Sequence, residues 1–364
     1  MRYFDSPIYG FKFIYTDSSG KAWQMKGSAP PYGGPNLYEL SNGRVFVPSP
    51  NFSGYNSYYY TDDQGSSYTA VTIAPPSGNG QAWIPFETPT PGRIVITASA
   101  ELIPYQYPPD YYGMYYSTDW LQTATPVRVI DNLGNRRSSV FRAAVSPTNG
   151  HVYVVYGGNE YGGYWKASKS TDNGLTYPSS WESMSTRQWP INGTGYATLT
   201  AMVVTNSGTI LMAGGIGTYG GPGGAHDFYI RRSTDDFVSH SEVYRGVTVS
   251  TIQHINHHLC VDRDSGRIWA GIMMLGESPN ITYNILFSDN DGVTWNICEA
   301  LVNSLYWYPF NMQSAPYDLR IIKGVLLGSC GDGGMWYVPP PYDKLWFLIE
   351  NTPILSRAAI LSLT

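Results

Sequence analysis

Several groups in this 364-residue chain could do chemistry. Asp110, Glu160, Asp227, Glu277 and Asp332 lie in Gly-, Pro- and aromatic-rich stretches that read as loops. Two carboxylates about 5 to 10 Å apart can run glycoside hydrolysis. Asp110, Glu160 and Glu277 are the candidates for that catalytic role, although sequence does not give their separation. His226-Asp227 reads as loop, and His254-Ile-Asn-His257-His258 reads as a segment before a strand. Imidazole and carboxylate together can hold zinc, which makes His226, Asp227, His254 and His257 the metal candidates. Their spacing fits no metal motif, so solvated or hydrogen-bonded histidines are the plainer reading. The chain has no P-loop, no dinucleotide fingerprint and no nucleophile elbow, and no cofactor is expected.

Aromatic side chains form a second set. Tyr105, Tyr107 and Tyr111 share one loop, and Tyr306, Trp307 and Tyr308 share another. Tyr and Trp join an apolar face to a polar tip, which suits sugar rings and protein interfaces alike. Packing between elements is the competing use for them.

The rest of the composition narrows the class. Lys plus Arg is 22 against Asp plus Glu 27, a net charge of -5, which argues against a nucleic-acid platform. Charged residues are 13%, aromatics 15%, and Gly and Pro number 39 and 26. Such a chain is all-β, with many short strands and tight turns. Cys260, Cys298 and Cys330 cannot build a disulfide framework. Residues 1–14 show no basic segment followed by an apolar one, so no signal peptide is expected. No apolar run is long enough to span a membrane, so no insertion is expected. Seven Lys against fifteen Arg, with abundant Tyr, is the bias of permanent interfaces. It points to a protein packed among copies or partners.

The elements that must position these groups show up as a repeat in the turns. Ser170-Thr-Asp172-Asn-Gly174-Leu-Thr176-Tyr177 is matched by Ser288-Asp-Asn290-Asp-Gly292-Val-Thr294-Trp295. Thr61 to Tyr68 repeats it closely, and Thr16 to Trp23 keeps the Gly and the aromatic. Ser117-Thr-Asp119 and Ser233-Thr-Asp235 keep only the first half, and Pro339 to Trp346 keeps the position and the last aromatic. The acid or amide can accept backbone N–H bonds inside such a turn, and Gly supplies a positive φ. Starts at 16, 61, 117, 170, 233, 288 and 339 give a unit of about 50 residues, the size of one four-stranded propeller blade. Hairpins are predicted at 140–145 with 151–156, 199–205 with 209–213, and 258–261 with 267–273, as first and second strands of successive units.

These eight-residue turns resemble the Asp-box (BNR) repeat of the sialidase-like propellers. The resemblance implies a β-propeller of one domain, residues 1–364. It implies a box between the third and fourth strands of each blade. Seven four-stranded blades are expected, with six and one insertion as the alternative. Residues 356–364 are expected to close the ring by pairing with the N-terminal blade, which would remove two open edges. The boxes themselves are expected to be structural, and the ligand face to be the opposite one, carrying the aromatic loops and the carboxylates.

True sialidases also need three arginines, a Tyr–Glu pair and an Asp. Their first arginine sits in a Phe/Tyr-Arg-Ile-Pro motif, which this chain lacks; Phe141-Arg142-Ala-Ala is the nearest string, and it lies mid-chain. Box propellers without those residues occur as adhesins, lectins and phage components. Three readings therefore stand: a non-catalytic propeller in a phage particle, possessing a glycan-binding face; a sialidase-like glycosidase; and a protein-binding scaffold. The first is the expectation, with synthesis in the cytoplasm and incorporation into a virion.

Overall fold

A computed structural model describes residues 2–4, 12–16, 23–28, 38–48, 57–63, 66–72, 80–100, 114–127, 129–130, 136–137, 140–157, 165–177, 195–218, 226–249, 254–275, 281–298, 319–322, 325–329, 335–338, 346–349 and 359–362. Among these the chain is all-β and every paired strand is antiparallel to its neighbour. It divides into two compact units, Met1–Trp189 and Pro190–Thr364.

The first unit holds small sheets whose strands follow sequence order. β1 (Arg2–Phe4), β2 (Lys12–Thr16) and β3 (Trp23–Ser28) make a three-stranded sheet. β4 (Tyr38–Glu39), β5 (Val45–Pro48), β6 (Ser57–Thr61) and β7 (Thr69–Thr72) make a four-stranded one. β8 (Gly80–Glu87), β9 (Ile94–Ala100), β10 (Met114–Ser117) and β11 (Thr125–Val127) make the next. The pair β12 (Val129–Ile130) and β13 (Arg136–Arg137) is a short ribbon. β14 (Val140–Val145), β15 (Val152–Gly157) and β16 (Trp165–Ser170) complete the unit.

The second unit repeats the plan. β17 (Gly195–Val204), β18 (Ile210–Thr218), β19 (His226–Ser233) and β20 (Ser241–Val249) form one sheet. β21 (His254–Val261), β22 (Ile268–Leu275), β23 (Ile281–Ser288) and β24 (Asn296–Ile297) form another. β25 (Leu319–Ile322), β26 (Val325–Ser329), β27 (Met335–Val338), β28 (Trp346–Ile349) and β29 (Ala359–Ser362) form a five-stranded sheet. The three hairpins expected from the turn residues are present as β14–β15, β17–β18 and β21–β22. β29 pairs with β28, as Ile349↔Ala359 to Trp346↔Ser362, and so extends the last sheet to five strands. A partner close by in sequence closes a short loop at small entropic cost.

Cores lie between successive sheets. Ile94 and Ile96 of β9 join Leu40, Phe46 and Tyr58 in one buried cluster, while Val95 joins Ala143, Val145, Val152 and Val154 in another. The two-residue period of the strand thus sends alternate side chains to opposite faces, and both faces are covered. That is why β9 reads Ile-Val-Ile and not apolar-polar-apolar. In the second unit, Leu211, Ala213, Phe228 and Ile230 pack on Leu259, Ile268, Ala270 and Leu286.

Candidate functional site

The best-defined polar constructions are the turns that follow the third strand of a sheet. In the turn after β16, the Ser170 hydroxyl donates to Asp172 Oδ1 (2.6 Å) and accepts from Gly174 N (2.8 Å). Thr176 then donates its N–H to Asp172 Oδ1 (2.9 Å) and its hydroxyl to Oδ2 (2.6 Å). The turn after β23 does the same with an amide. Gly292 N donates to Ser288 Oγ (3.0 Å), Thr294 N to Asn290 Oδ1 (3.0 Å), and Asn290 Nδ2 to Thr294 Oγ1 (2.8 Å). Trp295 caps that turn by donating Nε1–H to Gly292 O (3.2 Å). After β6, Thr61, Asp63 and Ser67 form the same ring of bonds.

The two turns that look degenerate in sequence are complete in structure. Asp119 is held by Ser117 and Thr123, and Asp235 by Ser233 and Ser239, at 2.6 to 2.9 Å. Leu121 (φ 67°) and Phe237 (φ 64°) take the left-handed position that Gly174 and Gly292 fill elsewhere. Each is buried, at 0% and 4% exposure, so packing offsets the roughly 1–2 kcal/mol that a side chain costs there. Where Gly occupies the position, a neighbouring sheet fills the space: an alanine Cβ at 174 would lie 2.4 Å from Val95, and at 292 it would lie 2.7 Å from Leu211. The apolar plug then comes three residues later, from buried Tyr177 or half-buried Trp295. The legible signal was the hydroxyl six residues after the first Ser.

The carboxylates in these turns are fully engaged. Burial pushes Asp119 and Asp172 up, but bonds from Thr123 and Ser117, and from Ser170 and Thr176, outweigh it and hold both below the usual range. Bonds from Ser67 and Thr61 take Asp63 down to about 2. Groups held ionised by their own turn are poor proton donors at neutral pH.

The turns between first and second strands add a partner pattern. A basic residue follows the positive-φ Gly at Gly43-Arg44, Gly92-Arg93, Gly150-His151 and Gly266-Arg267. The strand register sets that residue opposite the one after the first Ser or Thr of the other turn. Where an Asp stands there, an ion pair forms: Arg44 with Asp62 and Arg267 with Asp289, each at 2.6 Å. Arg44 also stacks on Tyr60, at 3.9 Å from the ring centroid, and donates to Trp120 O (2.6 Å) in the next sheet. In the second unit Asp291 plays that bridging part. Its carboxylate accepts from Thr205 (2.6 Å), Ser207 (2.8 Å), Thr209 and Arg232 (2.8 Å), tying β23's turn to the β17–β18 turn. Burial raises the Asp291 carboxyl, and those four bonds bring it below the usual range.

No protein-family model matches the chain. No curated protein matches it either. Among solved structures, YCF48 from Cyanidioschyzon merolae is 11% identical over 93% of this chain and 96% of its own, with a TM-score of 0.50. The chain shares a β-propeller fold. A protein of unknown function from Dyadobacter fermentans is 15% identical over 84% of this chain and 90% of its own, with a TM-score of 0.49. The Penicillium chrysogenum α-L-arabinanase is 13% identical over 82% and 89%, with a TM-score of 0.48.

On this propeller the expected ligand groups fall as follows. Asp110, Glu160, Glu277, Asp332, Tyr105, Tyr107, Tyr111, Tyr306, Trp307 and Tyr308 lie outside the described residues. His226 and Asp227 are corrected from loop to strand: they open β19, opposite Gly217 and Ile216 of β18. His254 and His257 are likewise strand residues of β21, opposite Leu275 and Ile272. Long partner strands extend the pairing through these histidines. No cluster of three or more His, Cys, Asp or Glu suited to a metal occurs among the described residues.

Proposed function

We propose that the chain is a non-catalytic Asp-box propeller of seven blades that works as a recognition component of a phage particle, in its tail, fibre or head surface. Its glycan-binding groups are the aromatic loops that carry Tyr105, Tyr107, Tyr111, Tyr306, Trp307 and Tyr308. The observation that carries the reading is that five repeated turns bind their acid or amide through hydroxyl and backbone donors of the same turn, as in the ring around Asp172. Such turns build a scaffold and leave recognition to other loops. The low Lys content and the 31 Tyr support a protein packed among copies.

The test is a glycan array followed by mass analysis of the spotted sugars. Binding with intact sugars supports the recognition reading. Loss of sugar overturns it in favour of a glycosidase, with Asp110, Glu160 and Glu277 as the residues to mutate. Neither binding nor loss removes the glycan ligand and leaves a scaffold, whose place is then sought by mass spectrometry of purified particles.

A further inference from the structure

Asn-Gly and Asp-Gly junctions are the weak points of a long-lived protein. The glycine amide nitrogen loses its proton and attacks the preceding side-chain Cγ. With Asn, the new N–C bond replaces the Cγ–Nδ2 bond and ammonia leaves. With a protonated Asp, water leaves. Water then reopens the succinimide to aspartate or isoaspartate. Asn42-Gly43, Asn149-Gly150, Asn173-Gly174 and Asp291-Gly292 are such junctions, all in tight turns.

Two restraints recur at all four. The first is on the attacking nitrogen. Gly43 N donates to Leu40 O (2.8 Å) and Gly150 N to Ser146 O (3.1 Å). Gly174 N donates to Ser170 Oγ (2.8 Å) and Gly292 N to Ser288 Oγ (3.0 Å). The second restraint is on the attacked side chain. Asn42 and Asn149 accept from the N–H two residues on, at 3.0 Å. Asn173 is lodged against Gly150, where an alanine Cβ would sit 1.9 Å from its Oδ1. Asp291 is held by Thr205, Ser207, Thr209 and Arg232.

We propose that these four junctions are guarded succinimide sites, and that in the repeated turn the first serine hydroxyl is the guard, Ser170 for Asn173 and Ser288 for Asp291. A proton engaged in a hydrogen bond is harder to remove, and a nitrogen so fixed cannot swing toward Cγ. The repeat thereby protects the glycine it requires.

The test is peptide mapping by mass spectrometry after prolonged incubation in mildly alkaline buffer, folded and in urea. In folded wild type, Asn42, Asn149 and Asn173 should convert far more slowly than in urea. Ser170→Ala should speed Asn173 about tenfold, the factor one net hydrogen bond carries, and leave Asn42 and Asn149 slow. Ser170→Thr, which restores a hydroxyl, should return the slow rate. An unchanged Asn173 rate in Ser170→Ala, or a common rise at all three asparagines in a variant that remains folded, overturns the proposal. Should Ser170→Ala unfold the chain, hydrogen exchange at Gly174 in wild type decides: slow exchange supports the guard, and exchange at the free-peptide rate overturns it.

Discussion

Replacing Asp172 tests whether the charge matters to the repeated turn or only the shape. Asp172→Asn keeps the shape, and the Asn290 turn shows how it would rearrange: the Nδ2 donates to the Thr hydroxyl at 2.8 Å where the acid accepts from it. What is lost is the charge assistance to three bonds, and charge-assisted bonds are about twice as strong as neutral ones. Asp172 is half-exposed, which screens the difference, so the cost at neutral pH should be about 1 kcal/mol. Asp172→Ala removes the acceptor altogether and should cost about 2–3 kcal/mol.

The sign of the pH dependence follows from the lowered carboxyl of Asp172. A carboxyl depressed in the folded state contributes its full stability above its unfolded value, near 3.9. That contribution fades as pH falls through the folded value. Protonated Asp172 resembles asparagine, so the gap between wild type and Asp172→Asn should close below about pH 4. Urea unfolding of both proteins across a pH series reads this directly. A gap that stays constant from neutral to acid pH would refute the electrostatic reasoning. Asn290→Asp is not the mirror experiment, because Asp289 and Asp291 flank it and would repel a third charge.

Other perturbations separate backbone from packing effects. Gly174→Ala combines φ +87° with a 2.4 Å approach to Val95 and should cost about 3 kcal/mol, whereas Gly208→Ala, at φ +90° with no described atom within 4 Å, should cost about 1 kcal/mol; equal losses in denaturant unfolding would count against the clash. Thr118→Asp places a carboxylate opposite Arg93, as Asp62 stands opposite Arg44, and should raise stability by up to about 1 kcal/mol; a gain that salt does not reduce would point to another cause. Tyr177→Phe removes a buried hydroxyl that lacks a hydrogen-bond partner among the described residues, and the melting temperature should hold or rise; a marked fall would reveal a partner for that hydroxyl.

Much of the fold was legible because turn chemistry is local. The repeat starts at 61, 117, 170, 233 and 288 fall at the ends of the third strands β6, β10, β16, β19 and β23. The second halves of the turns after Ser117 and Ser233 were harder to see, despite the hydroxyls of Thr123 and Ser239, because Leu121 and Phe237 stand where a glycine is expected. Burial supplies what conformational preference withholds, and burial depends on the neighbouring sheet. The pairs Arg44–Asp62 and Arg267–Asp289 needed the register between strands, which spacing alone does not give. The aromatic loops were proposed as ligand groups from residue type alone, and type does not fix how loops converge.

The exchangeable plug has a consequence for how such repeats diverge. A turn can hold glycine followed by an aromatic, as at Gly174 and Tyr177, or a bulky residue followed by a small one, as at Leu121 and Ala124. Moving from one form to the other by single steps passes through a turn with either two plugs or none. Both intermediates are penalised, by crowding or by a void. The two positions should therefore drift as a pair, along with whichever residue of the adjacent sheet shares their space. Descendants of one ancestral turn can then keep the same hydrogen bonds while losing the letters by which a sequence comparison would know them.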